Sequence, residues 1–416
     1  MKNITNKMKG KQIFIPIVAL VLLGVFNLIV DPSFYKITMD VNSAGDPVLS
    51  GYLITILDYG SELAIPVSYT HLLVGIVLLI SIIVIAVTAE GDKRIENDGS
   101  ESQEKLVTIG FSQVGAESDW RTANLISIKQ TFTPERGYDL LFEDAKQKQS
   151  NQIMAIRRFI QQEVDYIVFS PVVESGWNTV LEEAKRAGIP VIVIDRKVSV
   201  RDTGLYTAWI GSNFYLEGQK ACKVLNHYVE ENQIPEVNIV NIQGTLGATS
   251  QIGRTNALED AADKYGWNLL AQESGEYTEA KAYEVMTKML KEYEDINFVY
   301  CENDNEAFGA IDAIRDAGKT VGPGGDIQII SFDATQEGLR RMRNGEILID
   351  AECNPEHGYY VEKVMEQIED KELLQKEWNV PEEVFANIPE NYGIMLGGKR
   401  YTIQAITEDI VKQREY

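Results

Sequence analysis

YIVFSPVVESGWNTVLEEAKRAGIPVIVIDR, residues 166–196, decides the fold. Two short apolar runs, 166–170 and 191–195, flank an amphipathic helical stretch at 180–187 that stops at Gly188. Runs of this length and order predict two parallel strands joined by a crossover helix.

The same alternation continues in both directions. Further strands are expected at 106–111 (LVTIGF), 237–242 (VNIVNI), 298–301 (FVYC) and 327–332 (IQIISF), each β-branched or aromatic and bounded by polar or turn residues. Helices are expected at 153–162, 255–265, 282–293 and 307–317, with Gly266 and Gly318 as further stops. The expected fold class is α/β, an open doubly wound parallel sheet.

Composition narrows the functions such a fold can serve. The 416 residues carry 39 Lys and Arg against 62 Asp and Glu, a net charge of −23, with 44% hydrophobic and 24% charged residues. These proportions are those of a globular chain and exclude disorder and collagen-like repeats. A strongly acidic chain repels phosphate backbones, so nucleic acid is not an expected partner. Cys222, Cys301 and Cys353 lie far from one another and from His71, His227 and His357, with no spacing that suits zinc or a disulfide framework. GxGxxG and GxxxxGK[ST] are absent, and Gly322-Pro323-Gly324-Gly325 precedes a strand and reads as a turn, so no nucleotide cofactor is expected. Cys222 and His227 are five apart on an expected helix and point in different directions, which does not make a nucleophile pair.

In doubly wound sheets ligands bind beyond the carboxyl ends of the strands. Those ends carry Ser112, Asp195 with Arg196, Asn303 with Asp304, Asp333 and Glu352. Singly, each has helix capping as its competing reading. As a set, nearly every strand ends in a residue able to hydrogen-bond a hydroxyl.

The stretches IGFSQVGAESDWRTAN (109–124), FSPVVESGWNTVLEEAKRAGIPVIVIDR (169–196), IQGTLGATSQIGR (242–254), SGEYTEAKAYEVM (274–286) and CENDNEAFGAIDAIRDAG (301–318) resemble the periplasmic sugar-binding proteins of bacterial ABC transporters, and within them the galactofuranose-binding branch. The resemblance covers about 105–401. It implies a type I periplasmic binding fold, two α/β lobes joined by three crossings that close on a monosaccharide and deliver it to an ABC permease, with no enzyme activity and no cofactor or metal. The lobes are expected to be monomeric, composed of 105–210 plus 333–353 and of 211–332 plus 354–416, with crossings near 209–212, 332–333 and 353–355.

A sugar ring has an apolar face and a rim of hydroxyls, and asks for aromatic walls with forked polar groups around the edge. The resemblance assigns Trp120 to a wall, with packing inside the lobe as its competing reading. It assigns Arg121, Asp195, Arg196, Arg254, Asn303 and Asp333 to hydroxyls. Tyr277 stands where relatives often carry Phe, and Glu352 where some sugar binders have Gln.

The first ninety residues read differently. Residues 12–30 form an uncharged apolar run preceded by Lys2, Lys7, Lys9 and Lys11, long enough to cross a bilayer with its N-terminus inside. A second apolar run occupies 71–88. Residues 1–65 resemble the start of a sugar ABC permease, and PVSYTHL (66–72) resembles the in-frame translation of a transposase mosaic end used in sequencing libraries. Residues 72–89 resemble an export signal or anchor, followed by a linker at 90–104. Two spans would leave the lobes in the cytoplasm, where a sugar scavenger has no use, so a native start near Leu72 is expected. Two alternatives stay open: a membrane-tethered sugar sensor, and a LacI-type regulator core, which would need a helix-turn-helix that this chain does not carry.

Overall fold

A computed structural model describes residues 105–416 and two short strands, Met39–Val41 and Pro47–Leu49, which pair antiparallel. The chain divides into two compact units, Met1–Gln103 and Glu104–Tyr416. The apolar runs at 12–30 and 71–88, the permease-like stretch and the 66–72 junction lie outside the residues described in full. Among the described residues no helix is long and apolar enough to cross a membrane.

The second unit begins with strand β1 (Val107–Gln113), helix α1 (Asp119–Thr131), β2 (Tyr138–Asp144), α2 (Gln149–Gln161), β3 (Tyr166–Phe169), α3 (Asn178–Ala187), β4 (Val191–Ile194) and β5 (Ala208–Gly211). Strands β3, β4 and β5 are buried along their whole length. Strands covered on both faces have no reason to alternate, hence the unbroken YIVF and VIVI runs. Gly188 ends α3 in the left-handed region, at φ 75°, as the stop signal requires.

The chain then leaves this sheet and builds a second from α4 (Phe214–Glu231), β6 (Asn238–Gln243), α5 (Thr249–Tyr265), β7 (Asn268–Ser274), α6 (Glu279–Glu292), β8 (Phe298–Cys301), α7 (Asp304–Asp316), β9 (Gln328–Asp333), α8 (Gln336–Arg343) and β10 (Ile349–Glu352). It returns as α9 (Gly358–Glu369) and β11 (Glu377–Asn379), which pairs parallel with β5. It finishes in the second sheet as β12 (Val384–Ala386), β13 (Tyr392–Leu396), β14 (Lys399–Ala405) and α10 (Glu408–Gln413).

The first sheet runs β11-β5-β4-β3-β1-β2 and is parallel throughout. The second runs β13-β14-β12-β10-β9-β8-β6-β7, parallel from β10 to β7, with β12 antiparallel to β10. Each has an apolar cluster on either face. Ile109, Phe111 and Ile192 against Ile156, Phe159 and Trp177 sandwich the first sheet; Val299, Ile311 and Ile329 against Leu225, Phe298 and Phe332 sandwich the second. Both reverse direction beside their first strand, β1 or β6, which places a ligand crevice at the carboxyl ends of both.

Two expectations are corrected. Residues 333–353 belong to the second sheet, not the first, because β9 and β10 pair with each other and with β8; residues 358–379 belong to the first. The crossings therefore fall at 212–213, 353–357 and 380–383. Phe332–Asp333 is not a crossing: it ends β9, and the chain stays in the same sheet as it turns into α8.

Candidate functional site

The carboxyl ends of the two sheets face each other across a cavity of about 290 Å³, counted out to its mouth. Its lining includes Trp120, Arg121, Asp195, Arg196, Arg254, Tyr277, Asn303 and Asp333, eight of the ten residues expected from the sequence. The lobes are closed upon it. The backbone N–H of Asp119 donates to Asn305 Oδ1 at 3.0 Å, that of Glu174 to the Gly247 carbonyl at 2.9 Å, and that of Lys197 to Thr249 Oγ1 at 2.9 Å, each across the cleft.

The first lobe contributes a charged knot. Ser118 caps α1 by accepting from the Arg121 N–H, and one turn of that helix sets Arg121 over the end of β4. Arg121 Nη1 donates to Asp195 Oδ2 at 2.8 Å and Nε to Glu117 Oε1 at 2.9 Å; Ser170 Oγ donates to the same Asp195 oxygen at 2.8 Å. Burial alone would raise the Asp195 carboxyl, but Arg121 and Arg196 outweigh it and hold it below its usual value. Asp195 sits at φ 60°, a strained conformation for a non-glycine residue of the kind that clusters at binding sites. Arg196 donates to the Val172 carbonyl at 2.8 Å, and its nearest carboxylate oxygens are 3.8 and 3.9 Å away, so its fork is the least committed of the three.

The second lobe answers with Arg254, which donates from Nε to Glu217 Oε2 at 2.9 Å and reaches Asp333 Oδ1 at 3.5 Å. Burial pushes the Asp333 carboxyl well up, Arg254 opposes this, and Asp304 and Glu217 add to it. Asn303 does two jobs. Its Oδ1 accepts from the Glu306 N–H at 2.8 Å and caps α7, while its side chain lines the cavity. Tyr277 lies under the Arg196 guanidinium, 5.3 Å from ring centre to Cζ, and gives its hydroxyl hydrogen to Ser250 Oγ at 2.7 Å. Trp120, Phe214 and Cys353 form a small apolar cluster at the back.

Ser112 and Glu352 do not line the cavity. Ser112 is fully buried, and its neighbour Gln113, also outside the lining, accepts from Arg121 Nη1 at 3.3 Å and so braces it from behind. Glu352 faces the other way. It accepts from the Arg414 guanidinium, from the Tyr416 hydroxyl at 2.6 Å and from the Glu383 N–H at 2.6 Å, while Cys353, one residue on, lines the cavity. Side chains along a strand alternate sides, so one residue decides which of the two faces the ligand. The lining also includes Glu117, Ser118, Phe214, Ser250 and Cys353, which were not expected. Glu117 had a signal only in its spacing, four residues before Arg121 and just ahead of the cap Ser118; in the structure its Oε2 has no hydrogen-bond partner.

Among the described residues one group has metal-ligand donors close together, Glu217, Cys353 and Glu382, within 4.8 Å. The chain supplies its own cations there. Arg254 reaches Glu217 at 2.8 Å and Lys220 lies 3.8 Å from Glu382. What the cavity offers is a set of paired forks and acceptors with aromatic walls, which suits a small polyhydroxylated molecule.

Residues 109–368 match the periplasmic binding protein domain. The chain belongs to that family. This periplasmic binding protein is 38% identical over 254 residues to the galactofuranose-binding protein YtfQ of Escherichia coli (strain K12), covering 60% of this chain and 78% of the relative. A Mycobacterium smegmatis structure in complex with β-D-fucofuranose superposes with a TM-score of 0.65 at 40% identity, covering 68% of this chain and 91% of that one. The periplasmic component of the arabinose ABC transporter from Shewanella sp. ANA-3, bound to α- and β-L-arabinofuranose, gives 0.62 at 38%, covering 67% and 91%.

Proposed function

We propose that this chain captures a neutral monosaccharide in its furanose form, closes its lobes on it, and delivers it to an ABC transporter permease. One observation carries the reading. All three cavity guanidiniums have carboxylates beside them: Arg121 with Asp195 and Glu117, Arg254 with Glu217 and Asp333, and Arg196 within 4 Å of both Glu117 and Asp195. Paired charges leave no net cation for an anionic ligand, yet keep many N–H donors and carboxylate acceptors for hydroxyls. The family relatives that bind galactofuranose, fucofuranose and arabinofuranose support the same class.

The Trp120 indole, the Phe214 ring and the Tyr277 ring provide the apolar surface. Closure then excludes water from the hydroxyl contacts and creates the surface that a permease reads. In this reading the apolar run at 72–88 is an export signal or anchor that carries the lobes outside the cytoplasmic membrane.

Thermal unfolding of the full chain, purified in mild detergent, tests the proposal against D-galactose, D-fucose, L-arabinose, D-ribose, D-glucose and D-galacturonate. A ligand at one hundred times its dissociation constant stabilises by about 2.7 kcal/mol. A shift with one of the sugars that reach a furanose form, and none with galacturonate, is the expected result. A shift with galacturonate alone would overturn the neutral-sugar reading.

A further inference from the structure

Glu302 follows β8, is fully buried and does not line the cavity. Its carboxylate faces donors: Oε2 accepts from the Gly244 N–H at 2.9 Å, and Oε1 from the Thr255 hydroxyl at 2.5 Å and from Asn241 Nδ2 at 3.3 Å. The Thr255 hydroxyl also accepts from Gln251 Nε2 at 3.0 Å and Gln243 Nε2 at 3.1 Å. Both are amide donors, so its one proton goes to Glu302. Gln251 in turn uses its Oε1 to accept from the Gly247 N–H at 3.1 Å.

Both ends of the loop 244–248 thus trace back to this carboxylate. Gly244 is held directly and Gly247 through Thr255 and Gln251. The loop matters to closure in two ways. The Gly247 carbonyl accepts the cross-cleft bond from Glu174, and Gly244 lies flat against the Tyr277 ring, where a Cβ would fall 1.9 Å from a ring carbon.

We propose that Glu302, as a carboxylate, is the positioning residue that shapes the loop 244–248 for closure over the sugar. The inference rests on the sugar-binding reading and adds a regulator to it: the proton. A proton on either oxygen turns an acceptor toward a donor and breaks one anchor of the loop.

The groups facing Glu302 are Asn241 on β6, Arg254 and Thr255 on α5, Tyr277 before α6, Tyr300 and Cys301 on β8 and Glu306 on α7. Burial raises its carboxyl to about 7, against the pull of Thr255, Gly244, Asn241 and Arg254. Sugar affinity should therefore rise with pH through neutrality. Stability should do the opposite. A carboxyl whose folded value lies above its unfolded value contributes stability that is full below the unfolded value and lost as pH rises through the folded one.

Isothermal titration of the full chain in mild detergent, with whichever of D-galactose, D-fucose or L-arabinose binds, tests this across pH 6 to 8.5. Wild-type affinity should rise about five- to tenfold across that range, as expected for one linked proton. Glu302→Gln, which keeps one acceptor and points an amide at the other donor, should bind at pH 8 like wild type at low pH, with a flat profile. It should also have a higher Tm than wild type at pH 8, a combination that loss of a merely structural group would not produce. Thr255→Val cuts the relay while keeping the carboxylate, and should weaken binding through the Gln251–Gly247 arm. A flat wild-type profile, or a Glu302→Gln profile identical to the wild-type one, overturns the inference. Absence of binding by any sugar at any pH would instead overturn the sugar-binding reading, and the inference with it.

Discussion

Trp120 donates its indole N–H to the backbone carbonyl of Cys353, 2.5 Å away, so a wall residue of the cavity is fastened to one of the three crossings between the lobes. The ring also meets His357 edge-on at 5.8 Å, and the Arg121 guanidinium lies 4.7 Å from its centre. The cavity wall and the hinge are therefore joined through one side chain.

Trp120→Phe keeps an aromatic wall but leaves the Cys353 carbonyl buried and unpartnered. An orphaned buried acceptor costs about 1–3 kcal/mol, so sugar affinity in the closed form should fall about tenfold. Titration calorimetry reads this directly. Unchanged affinity would show that the indole N–H has no part in closure.

Arg254→Met strands Glu217 and Asp333, both buried, without their shared cation. Removing one partner of a buried ion pair costs about 3–5 kcal/mol. The chemical-denaturation midpoint should drop accordingly. The double variant with Glu217→Gln should recover part of the loss, because it removes one of the stranded charges.

His357 is fully buried, with Nδ1 3.2 Å from Asn124 Nδ2 and Nε2 unpartnered. Burial pushes the ring down to about 4, against a weaker upward pull from Asp195. The unfolded ring titrates near its ordinary value of about 6.5, so the stability it contributes is full above that pH and lost as pH falls toward 4. Between pH 7 and pH 5 wild type should lose about 2 kcal/mol more than His357→Gln does. Denaturation curves at the two pH values measure the difference.

Gly244→Ala places a methyl 1.9 Å from Tyr277 Cζ, with the ring itself pinned by Ser250. The loop or the ring must move, and either movement opens the cavity. Sugar binding should fall at least about a hundredfold, as expected when overpacking of about 1–3 kcal/mol is added to a lost contact. Circular dichroism should still report the native helix and strand content. Binding within a few-fold of wild type would place the loop outside the closed site.

The alternation of apolar runs and helices was enough for the α/β class, since burial on both faces leaves a mark that any five-residue window shows. Asp195, Arg196, Asn303 and Asp333 were legible for a topological reason: strand ends in a doubly wound sheet converge. Trp120, Arg121, Arg254 and Tyr277 were reached through resemblance, because helix and loop residues carry no positional signal of that kind. Ser112 and Glu352 show where the strand-end rule stops. It gives the end of the strand, but not whether that end reaches the cavity, as Ser112 does not, nor which of two neighbours faces it, as Cys353 does in place of Glu352.

What the sequence determined by itself was local: which segments are strands and helices, where they stop, and which polar residues crowd their ends. Tertiary structure decided which sheet each strand joins. Glu377 lies beside Trp209, and Ile349 beside Ile330, through backbone hydrogen bonds between segments far apart in the chain. No local pattern in β9, β10 or β11 records those partners, because strand pairing is set by the shared core and not by the strand alone. That non-local choice put a crossing at 380–383 instead of 332–333, and left the one at 353–357, where Trp120 meets the Cys353 carbonyl, beside its expected place.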